Sequence, residues 1–216
     1  MKIGIIGTGM VGATLGTKLT QLGHQVKMGS RTANNEKAAK WVSEAGATAS
    51  QGTFADAASF GDIVFNCTKG DGAMDAVKAA GESNLNGKIL VDVSNPLDFS
   101  KGMPPSLFPE LSNTNSLGEE IQKTFPGTKV VKALNTMNCA LMVNPTLVPG
   151  SHDLFMCGND EAAKATVTDI VKSFGWTSII DLGDIKAARA MEALLPIWVR
   201  LMMKFQSPNF NFKIVR

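Results

Sequence analysis

Short apolar, β-branched runs alternate along the chain with segments whose apolar residues repeat at helical spacing. Several of these runs are apolar almost throughout, which is typical of strands buried on both faces of a sheet. Alternating strands and helices predict an α/β fold with a Rossmann-type, doubly wound and mostly parallel sheet. The eight predicted strands are Lys2–Ile6, Gln25–Met28, Ala47–Ser50, Asp62–Cys67, Ile89–Val93, Lys129–Leu134, Asp153–Cys157 and Ser178–Asp181.

The predicted helices carry apolar stripes, and two of the stripes stop at a glycine that can end a helix. Ser116 and Glu119 have the spacing of a capping box, which predicts a further helix running toward Phe125. The two stripes are Val11, Leu15, Leu19 and Leu22 before Gly23, and Ala38, Trp41, Val42 and Ala45 before Gly46; two more helices are predicted over Ala73–Ala80 and Ala162–Phe174.

Two segments depart from this rhythm. Residues 95–115 are rich in Pro, Ser and Asn, and a structureless connection of this length is often a lid or a binding loop. From Lys186 onward the chain is apolar around most of a helical circumference, and Pro196 inside it predicts a kink. Such a helix is expected to pack against the sheet or against another subunit. Its charged residues, Arg189, Glu192, Arg200 and Lys204, argue against a membrane helix.

The 216 residues suffice for one large domain with a small appendage, predicted as a Rossmann domain over 1–183 and a helical extension over 184–216. The net charge of +2 is scattered, which does not favour a nucleic-acid partner. The three cysteines are far apart and predict no metal site or disulfide but a reducing, cytoplasmic location. The first apolar run is short and broken by glycines, so we interpret it as a strand rather than a signal peptide, and no membrane span is expected.

A glycine motif, GTGMVG, follows the first predicted strand and opens the first predicted helix. In this context the first glycine allows a tight turn, the second leaves room for a pyrophosphate, and the third lets the helix pack on the strand. The phosphates would then meet free backbone N–H groups at the positive end of the helix. The alternative is a merely tight turn. The predicted dinucleotide-binding residues are Gly7, Thr8, Gly9, Met10, Val11 and Gly12.

The second strand leads into GSRT, where an NAD site would place an acid against the ribose hydroxyls. The predicted strand ends at Met28, and the next acid is Glu36. A guanidinium can bind the 2′-phosphate of NADP through two parallel hydrogen bonds, whereas an acid would repel that phosphate. The predicted 2′-phosphate site comprises Ser30, Arg31, Thr32 and Lys37. The alternative is that the arginine is an ordinary surface residue in a turn.

Further cofactor contacts are expected at the carboxyl ends of later strands, where open α/β sheets bind ligands. For each single residue, a hydrogen bond that caps the loop is an equal alternative. The candidates named from these strand ends are Cys67, Thr68, Lys69, Val93, Asn95 and Asn135.

No catalytic residue is predicted. His24 and His152, the only histidines, each precede a strand and so lie at the wrong end of the sheet. We find no Ser-His-Asp order, no metal cluster and no conspicuous pair of acids. Hydride transfer between cofactor rings needs positioning and a dry site rather than a protein nucleophile. Methionines and phenylalanines of the tail can line a pocket for a flat ring, although core or interface is the more common role.

The chain resembles the coenzyme F420-dependent NADP oxidoreductase family over nearly its whole length. The matching blocks are GIIGTGMVG, GSRT followed by EKA, DVSNPL, KVVKALNTM and ARAMEALLPIWVRLMMKF. The resemblance implies a Rossmann fold with a short helical extension, a dimer, and hydride transfer between NADPH and a deazaflavin. The same domain is similar to the NADPH-binding part of membrane metalloreductases, which reduce a flavin. Carried over by position, Thr8 to Val11 would bind pyrophosphate, Ser30, Arg31 and Lys37 the 2′-phosphate, and Thr68, Val93 and Ala133 would lie beside the nicotinamide half.

We therefore expect an NADPH-dependent oxidoreductase that uses NADP and a planar acceptor such as F420, FMN or FAD. One alternative is an imine or keto reductase of the pyrroline-5-carboxylate reductase type, for which an extension of 33 residues is short. The other alternative is a non-catalytic NADP-binding regulator. A homodimer is expected, because the tail carries more apolar surface than it can bury alone.

Overall fold

The computed structural model describes residues 1–216, and an eight-stranded sheet forms its centre. The strands of this sheet are β1 (Lys2–Ile6), β2 (Gln25–Ser30), β3 (Ala49–Thr53), β4 (Ile63–Asn66), β5 (Ile89–Asp92), β8 (Lys129–Ala133), β9 (Leu154–Gly158) and β10 (Ile179–Asp181). A separate two-stranded sheet joins β6 (Leu97–Asp98) to β7 (Ser106–Leu107).

The strands of the large sheet run in the order β3-β2-β1-β4-β5-β8-β9-β10. All neighbours pair in parallel except β8 and β9, which are antiparallel, with Val131 opposite Gly158. The predicted doubly wound, mostly parallel sheet is confirmed. Strand order reverses beside β1, which has β2 on one side and β4 on the other. Such a reversal leaves a crevice outside the carboxyl ends of the strands, where open α/β sheets bind ligands.

Helices cover both faces of the sheet, and successive strand residues alternate between two apolar cores. Ile3 and Ile5 of β1 enter one core, whereas Ile6 enters the other. This two-sided burial explains the nearly continuous apolar runs of the strands. The helices are α1 (Met10–Gln21), α2 (Glu36–Ala45), α3 (Phe54–Phe60), α4 (Gly70–Ala80), α5 (Glu82–Leu85), α6 (Leu117–Thr124), α7 (Cys139–Val143), α8 (Glu161–Ser173), α9 (Ala188–Ala193) and α10 (Leu195–Phe205).

Seven of the eight strands differ in their bounds from the prediction, five of them by a single residue at one or both ends and β2 and β3 by more. β2 continues to Ser30, two residues past its predicted end. β3 begins at Ala49 rather than at residue 47, because it pairs along β2 from Val26 opposite Ala49 to Ser30 opposite Thr53. The GSRT segment therefore starts inside a strand, and only its last two residues lie beyond the sheet.

The prediction of a structureless connection over residues 95–115 was wrong. Within it β6 and β7 form an antiparallel pair, and the N–H of Phe108 donates to the carbonyl of Pro96 at 3.0 Å. A 3₁₀ turn over Pro109–Leu111 follows. Local pairing therefore supplies hydrogen-bond partners for part of a backbone that we had predicted to have none.

The predicted capping box at α6 forms only in part. The Ser116 hydroxyl accepts the N–H of Glu119 at 3.2 Å, as expected. The Glu119 carboxylate does not return to the Ser116 N–H but accepts from the Ser116 hydroxyl and from Arg189. A complete capping box instead opens α3, between Thr53 and Asp56.

The tail is two helices rather than the single helix with an internal kink that was predicted. α9 ends at Ala193, and Pro196 lies in the first turn of α10, where its missing N–H costs nothing. Beyond α10 the chain returns to the start of β9, where the N–H of Asp153 donates to the carbonyl of Phe212 at 2.9 Å. None of the helices is both long and apolar enough to cross a membrane. The domain boundary at residue 183 stays a prediction.

Candidate functional site at the carboxyl edge of the sheet

The three glycines of the loop after β1 have three different environments. Gly7 has a φ of +121°, and a Cβ there would lie 2.8 Å from the carbonyl oxygen of Cys67. A Cβ on Gly12 would lie 2.2 Å from the carbonyl oxygen of Gly7, so the helix can approach the loop only without a side chain. A Cβ on Gly9 would meet no protein atom within 4 Å. The space above Gly9 is thus left open by the protein, as a pyrophosphate requires.

The amino end of α1 presents unsatisfied backbone donors at this open space. Gly9 is its capping residue, no side chain caps the helix, and its first turn contains no acid. Helix N-termini with free N–H groups favour anions. The loop and helix therefore fit the diphosphate of a dinucleotide.

The end of β2 lies directly beside the glycine loop, because the N–H of Gly7 donates to the carbonyl of Gly29 at 3.0 Å. Of the predicted 2′-phosphate residues, Arg31, Thr32 and Lys37 are exposed, and neither cation forms an ion pair. Ser30 is buried, and its hydroxyl donates to the carbonyl of Thr32. The two free cations fit a phosphate group on the adenosine side of the cofactor.

The predicted contacts on the inner strands divide into accessible and buried residues. Thr68, Lys69 and Asn95 are at least partly exposed at the sheet edge. The side chains of four others are buried, so only their backbone can face a ligand in this conformation. These four are Cys67, Val93, Ala133 and Asn135.

Cys67 is not set up as a nucleophile. Burial raises the pKa of its thiol well above the usual range, and the nearby Asp92 carboxylate adds to this effect. The thiol therefore stays protonated, and Cys67 is a small apolar core residue, as its position in a strand-like run suggested.

Two asparagines connect the loops after β5 and β8 with the tail. Asn95 donates its side-chain amide to the carbonyl of Asn135 at 2.8 Å, and Asn135 donates to the Asn95 side-chain oxygen at 2.9 Å. Asn135 also donates to the carbonyl of Met191 in α9 at 3.3 Å. Both residues thus make the loop hydrogen bonds that sequence reasoning gave as the alternative, and their contact with the cofactor stays a prediction.

Sequence reasoning missed a buried ionic cluster just inside this edge. Lys132 of β8 is fully buried, and its ammonium lies 2.7 Å from a carboxylate oxygen of Asp92 and 2.7 Å from one of Glu192. The carbonyl of Ser94 accepts its third hydrogen bond at 2.6 Å. The sequence does contain one signal of this cluster, a lysine inside the apolar run KVVKAL. A strand buried on both faces of the sheet must bury such a lysine.

Hydrogen bonds and charge keep this lysine ionised. Burial lowers the pKa of Lys132, but the Asp92 and Glu192 carboxylates raise it by more, so the net shift is upward. Burial also raises the pKa of Glu192, because a single ammonium shared with Asp92 offsets only part of its desolvation. Sequence reasoning about catalytic residues did not identify this pair of acids, which share one buried cation.

The two histidines lie at opposite edges of the sheet. The prediction that both lie at the wrong end was wrong for His152, because β9 runs antiparallel to β8 and therefore begins at the carboxyl edge. His24 directly precedes β2, and its ring nitrogen is 3.4 Å from the amino terminus of Met1. The imidazole of His152 is buried between the carbonyl of Pro145 at 3.0 Å and the side-chain amide of Asn211 at 2.9 Å. No group of three or more potential metal ligands is present.

Comparisons with known proteins find relatives that match the chain over most of its length. Residues 2–96, which hold the glycine loop and the first five strands, match the family model described as NADP oxidoreductase, coenzyme F420-dependent. An F420-dependent NADP reductase of Methanocaldococcus jannaschii is 31% identical over 99% of this chain and 98% of its own length. The rat metalloreductase STEAP3 is 32% identical over 91% of this chain, which spans only 38% of that protein.

Two solved structures resemble this chain to different degrees. A crystal structure from Arthrobacter sp. FB24, provisionally identified as an F420-dependent NADP-reductase, matches all of both chains with a TM-score of 0.94 and 50% identity. An imine reductase of Streptomyces aurantiacus shares the fold, with a TM-score of 0.68 and 18% identity over 95% of this chain and 64% of its own. The full-length likeness to the methanogen reductase decides the assignment: this chain belongs to the family of coenzyme F420-dependent NADP oxidoreductases.

Proposed function

We propose that this chain, an NADP-dependent oxidoreductase by its family, transfers a hydride between NADP(H) and a planar deazaflavin of the F420 type. The acceptor part of the proposal rests on relatives that match the full chain and are named for F420. When bound, NADPH supplies the hydride from its nicotinamide ring, and the protein has to hold both rings.

One observation carries the cofactor assignment: the arginine beyond β2 is exposed, without an ion pair, and next to a glycine loop that leaves space for a diphosphate. Arg31 would bind the 2′-phosphate with its fork, and Lys37 at the start of α2 would add a second charge. Ser30 would keep the turn in shape through its bond to Thr32. Gly9 and the amino end of α1 would hold the diphosphate.

The residues just inside the carboxyl edge of the sheet orient neighbouring groups and do not react themselves. Asp92, Lys132 and Glu192 are buried and already bonded to one another, so none of them can exchange a proton with a ligand at the edge. Hydride transfer to a deazaflavin needs close and correctly oriented rings more than a protein acid, which agrees with this arrangement.

An imine reductase is the second candidate, and the shared fold favours it only in part. Reduction of an imine also needs a proton for the amine nitrogen. Lys69 is the one exposed titratable side chain among the candidates beyond β4, β5 and β8. The imine reductases cover 95% of this chain, but this chain covers only about two thirds of them, so they carry a further segment that it does not match.

A homodimer forms part of the proposal. α10 leaves Ile197, Met203 and Phe205 exposed, at 51%, 46% and 57% of their surface. A second copy would cover some of these side chains, since single apolar residues are common on surfaces but three on one short helix are not. Sedimentation velocity is expected to give a dimer that Phe205→Glu converts to monomer. A wild-type monomer at every concentration would contradict it.

A steady-state assay tests the acceptor. We expect the protein to oxidise NADPH with F420 as acceptor, and FMN, FAD and a cyclic imine such as 1-pyrroline are the comparison acceptors. Turnover with the imine alone would assign the second candidate. Binding of NADPH without turnover on any of the four acceptors would indicate an NADP-binding regulator.

A further inference from the structure

An uninterrupted chain of buried polar contacts runs from the tail to the mouth of β4. Glu192 of α9 contacts Lys132 at 2.7 Å, and Lys132 contacts Asp92 at 2.7 Å. Asp92 accepts the side-chain amide of Asn66 at 2.9 Å, and the oxygen of that amide accepts the Thr68 hydroxyl at 2.6 Å. We call these five residues the Thr68–Glu192 chain.

Each member of the chain has its orientation fixed by the next. The Asn66 side chain gives its amide to Asp92 and to the Ser94 hydroxyl, so its oxygen must face the Thr68 hydroxyl. The other carboxylate oxygen of Asp92 is held by the lysine ammonium. Buried polar networks in which every donor is used adopt a single geometry, because any rotation would leave a desolvated group without a partner.

The outer end of the chain lies against the cofactor loop. Thr68 is partly exposed, and its backbone nitrogen would lie 3.3 Å from a Cβ placed on Gly7. The turn that follows is equally tight, because a Cβ on Gly70 would lie 2.0 Å from the carbonyl oxygen of Asn95. A change in the Thr68 turn would therefore displace both the glycine loop and the Asn95 backbone, which flank the predicted nicotinamide position.

The inner end of the chain belongs to the tail. Glu192 also accepts the backbone N–H groups of Leu117 and Gly118 at 2.9 and 3.1 Å, which ties α9 to the first turn of α6. Docking of the tail thus completes the chain, which without Glu192 would leave the lysine ammonium short of one acceptor.

We propose that the Thr68–Glu192 chain is a positioning device, in which Lys132 transmits the docking of α9 to the Thr68 turn and so orients the nicotinamide half of NADP. The inference rests on the proposed NADP function and adds a role for buried residues that do not touch the cofactor. Lys132, Asp92 and Glu192 are positioning residues, and Thr68 is the member that faces the ligand.

Two ligands distinguish a loss of nicotinamide positioning from a general loss of binding. NADP⁺ has the nicotinamide half, whereas adenosine 2′,5′-bisphosphate carries only the adenosine half with its 2′-phosphate. Isothermal titration of Lys132→Met is expected to show about tenfold weaker binding of NADP⁺ and less than about twofold change for the bisphosphate. Amide exchange over residues 67–70 is expected to become faster in the same variant.

Lys164→Met is the matched control. Lys164 is also nearly buried and is paired, at 2.8 and 2.7 Å, with Glu161 and Asp181, but it lies on α8 and takes no part in the chain. Its loss is expected to leave both affinities unchanged. Equal weakening of both ligands by Lys132→Met, or no weakening of either, would overturn the proposal.

A second pair of variants decides the matter if Lys132→Met does not fold. Thr68→Val removes the outer hydrogen bond without disturbing a buried charge, and Thr68→Ser keeps it. Valine is expected to weaken NADP⁺ selectively and serine to restore its affinity, whereas equal behaviour of the two would overturn the proposal. Failure of the wild-type protein to bind the bisphosphate would instead disprove the 2′-phosphate site, which separates the two failures.

Discussion

Glu192 accepts the backbone N–H of Leu117 at 2.9 Å, so a side chain from the tail caps a helix that begins 75 residues earlier. Such a cap combines a helix dipole with a carboxylate. The same carboxylate holds a fully buried lysine. The tail is therefore fastened to the sheet by buried charge, and its role extends beyond covering apolar surface.

Glu192→Ala is expected to lower the free energy of unfolding by about 3–5 kcal/mol, because it leaves a buried ammonium without one of its acceptors. Glu192→Gln should cost less, since its amide oxygen can still accept from Lys132. Urea unfolding monitored by tryptophan fluorescence measures the difference. Glu44→Ala, at an exposed ion pair with Lys40, is the control, with an effect below about 1 kcal/mol. A loss below about 1 kcal/mol for Glu192→Ala would refute the fastening role.

The two later glycines of the phosphate loop should respond differently to alanine. Gly9→Ala meets no protein atom within 4 Å, so the thermal midpoint should stay unchanged while NADP⁺ binding weakens. Gly12→Ala places a methyl group 2.2 Å from a carbonyl oxygen and should cost about 1–3 kcal/mol of stability as well.

Thermal unfolding and NADP⁺ titration of both variants check this pair. Gly23→Ala is unsuitable as a control because Gly23 has a positive φ, whereas Gly72 in α4 has a free Cβ direction and lies in a helix. Gly72→Ala should change neither binding nor folding for the worse. If Gly9→Ala bound NADP⁺ as tightly as the wild type, the open space would not hold the diphosphate.

The ion pair between Glu119 and Arg189 predicts a pH dependence. Burial raises the pKa of Glu119, but hydrogen bonds from Arg189 and Ser116 lower it by more, so the pKa lies below its usual 4.5. A carboxylate with a lowered pKa stabilises the fold above its unfolded pKa, and this contribution is lost as the pH falls through the folded pKa. The pair is partly exposed, so solvent screening keeps its contribution to stability small at neutral pH.

Comparing the wild type with Glu119→Gln across pH measures this contribution. The difference in the free energy of unfolding should be constant above pH 4.5 and shrink below it. Lys40→Met, which removes an exposed pair on α2, should show no comparable change. A difference that grows on acidification would mean that the carboxylate is destabilised in the fold.

The sheet was predictable because its strands are buried on both faces. Each of the eight apolar runs forms a strand, and the glycine loop lies where its spacing placed it. The antiparallel direction of β9 could not be predicted. A strand buried on both faces has the same apolar pattern whether it runs parallel or antiparallel to its neighbour. The hairpin within residues 95–115 was missed because its strands are only two residues long, too short to show alternation.

The outer part of the candidate site was predictable and the inner part was not. The free Arg31 and the open Gly9 follow from local sequence. The partners of Lys132 are 40 and 60 residues away, and only the fold brings them together. A buried ion pair of this kind is visible in a single sequence only as a charged residue in an apolar strand. The identity of its partner cannot be predicted from that residue.

The central claim is that Arg31 selects the phosphorylated nicotinamide nucleotide. Titration of the wild type and Arg31→Ala with NADPH and NADH, followed by fluorescence, tests it most directly, with the exposed and unpaired Arg200→Ala as the control. Loss of one charge-assisted contact should weaken NADPH roughly ten- to a hundredfold and leave NADH nearly unchanged. Equal weakening of both nucleotides, or an unchanged affinity for NADPH, would contradict the account.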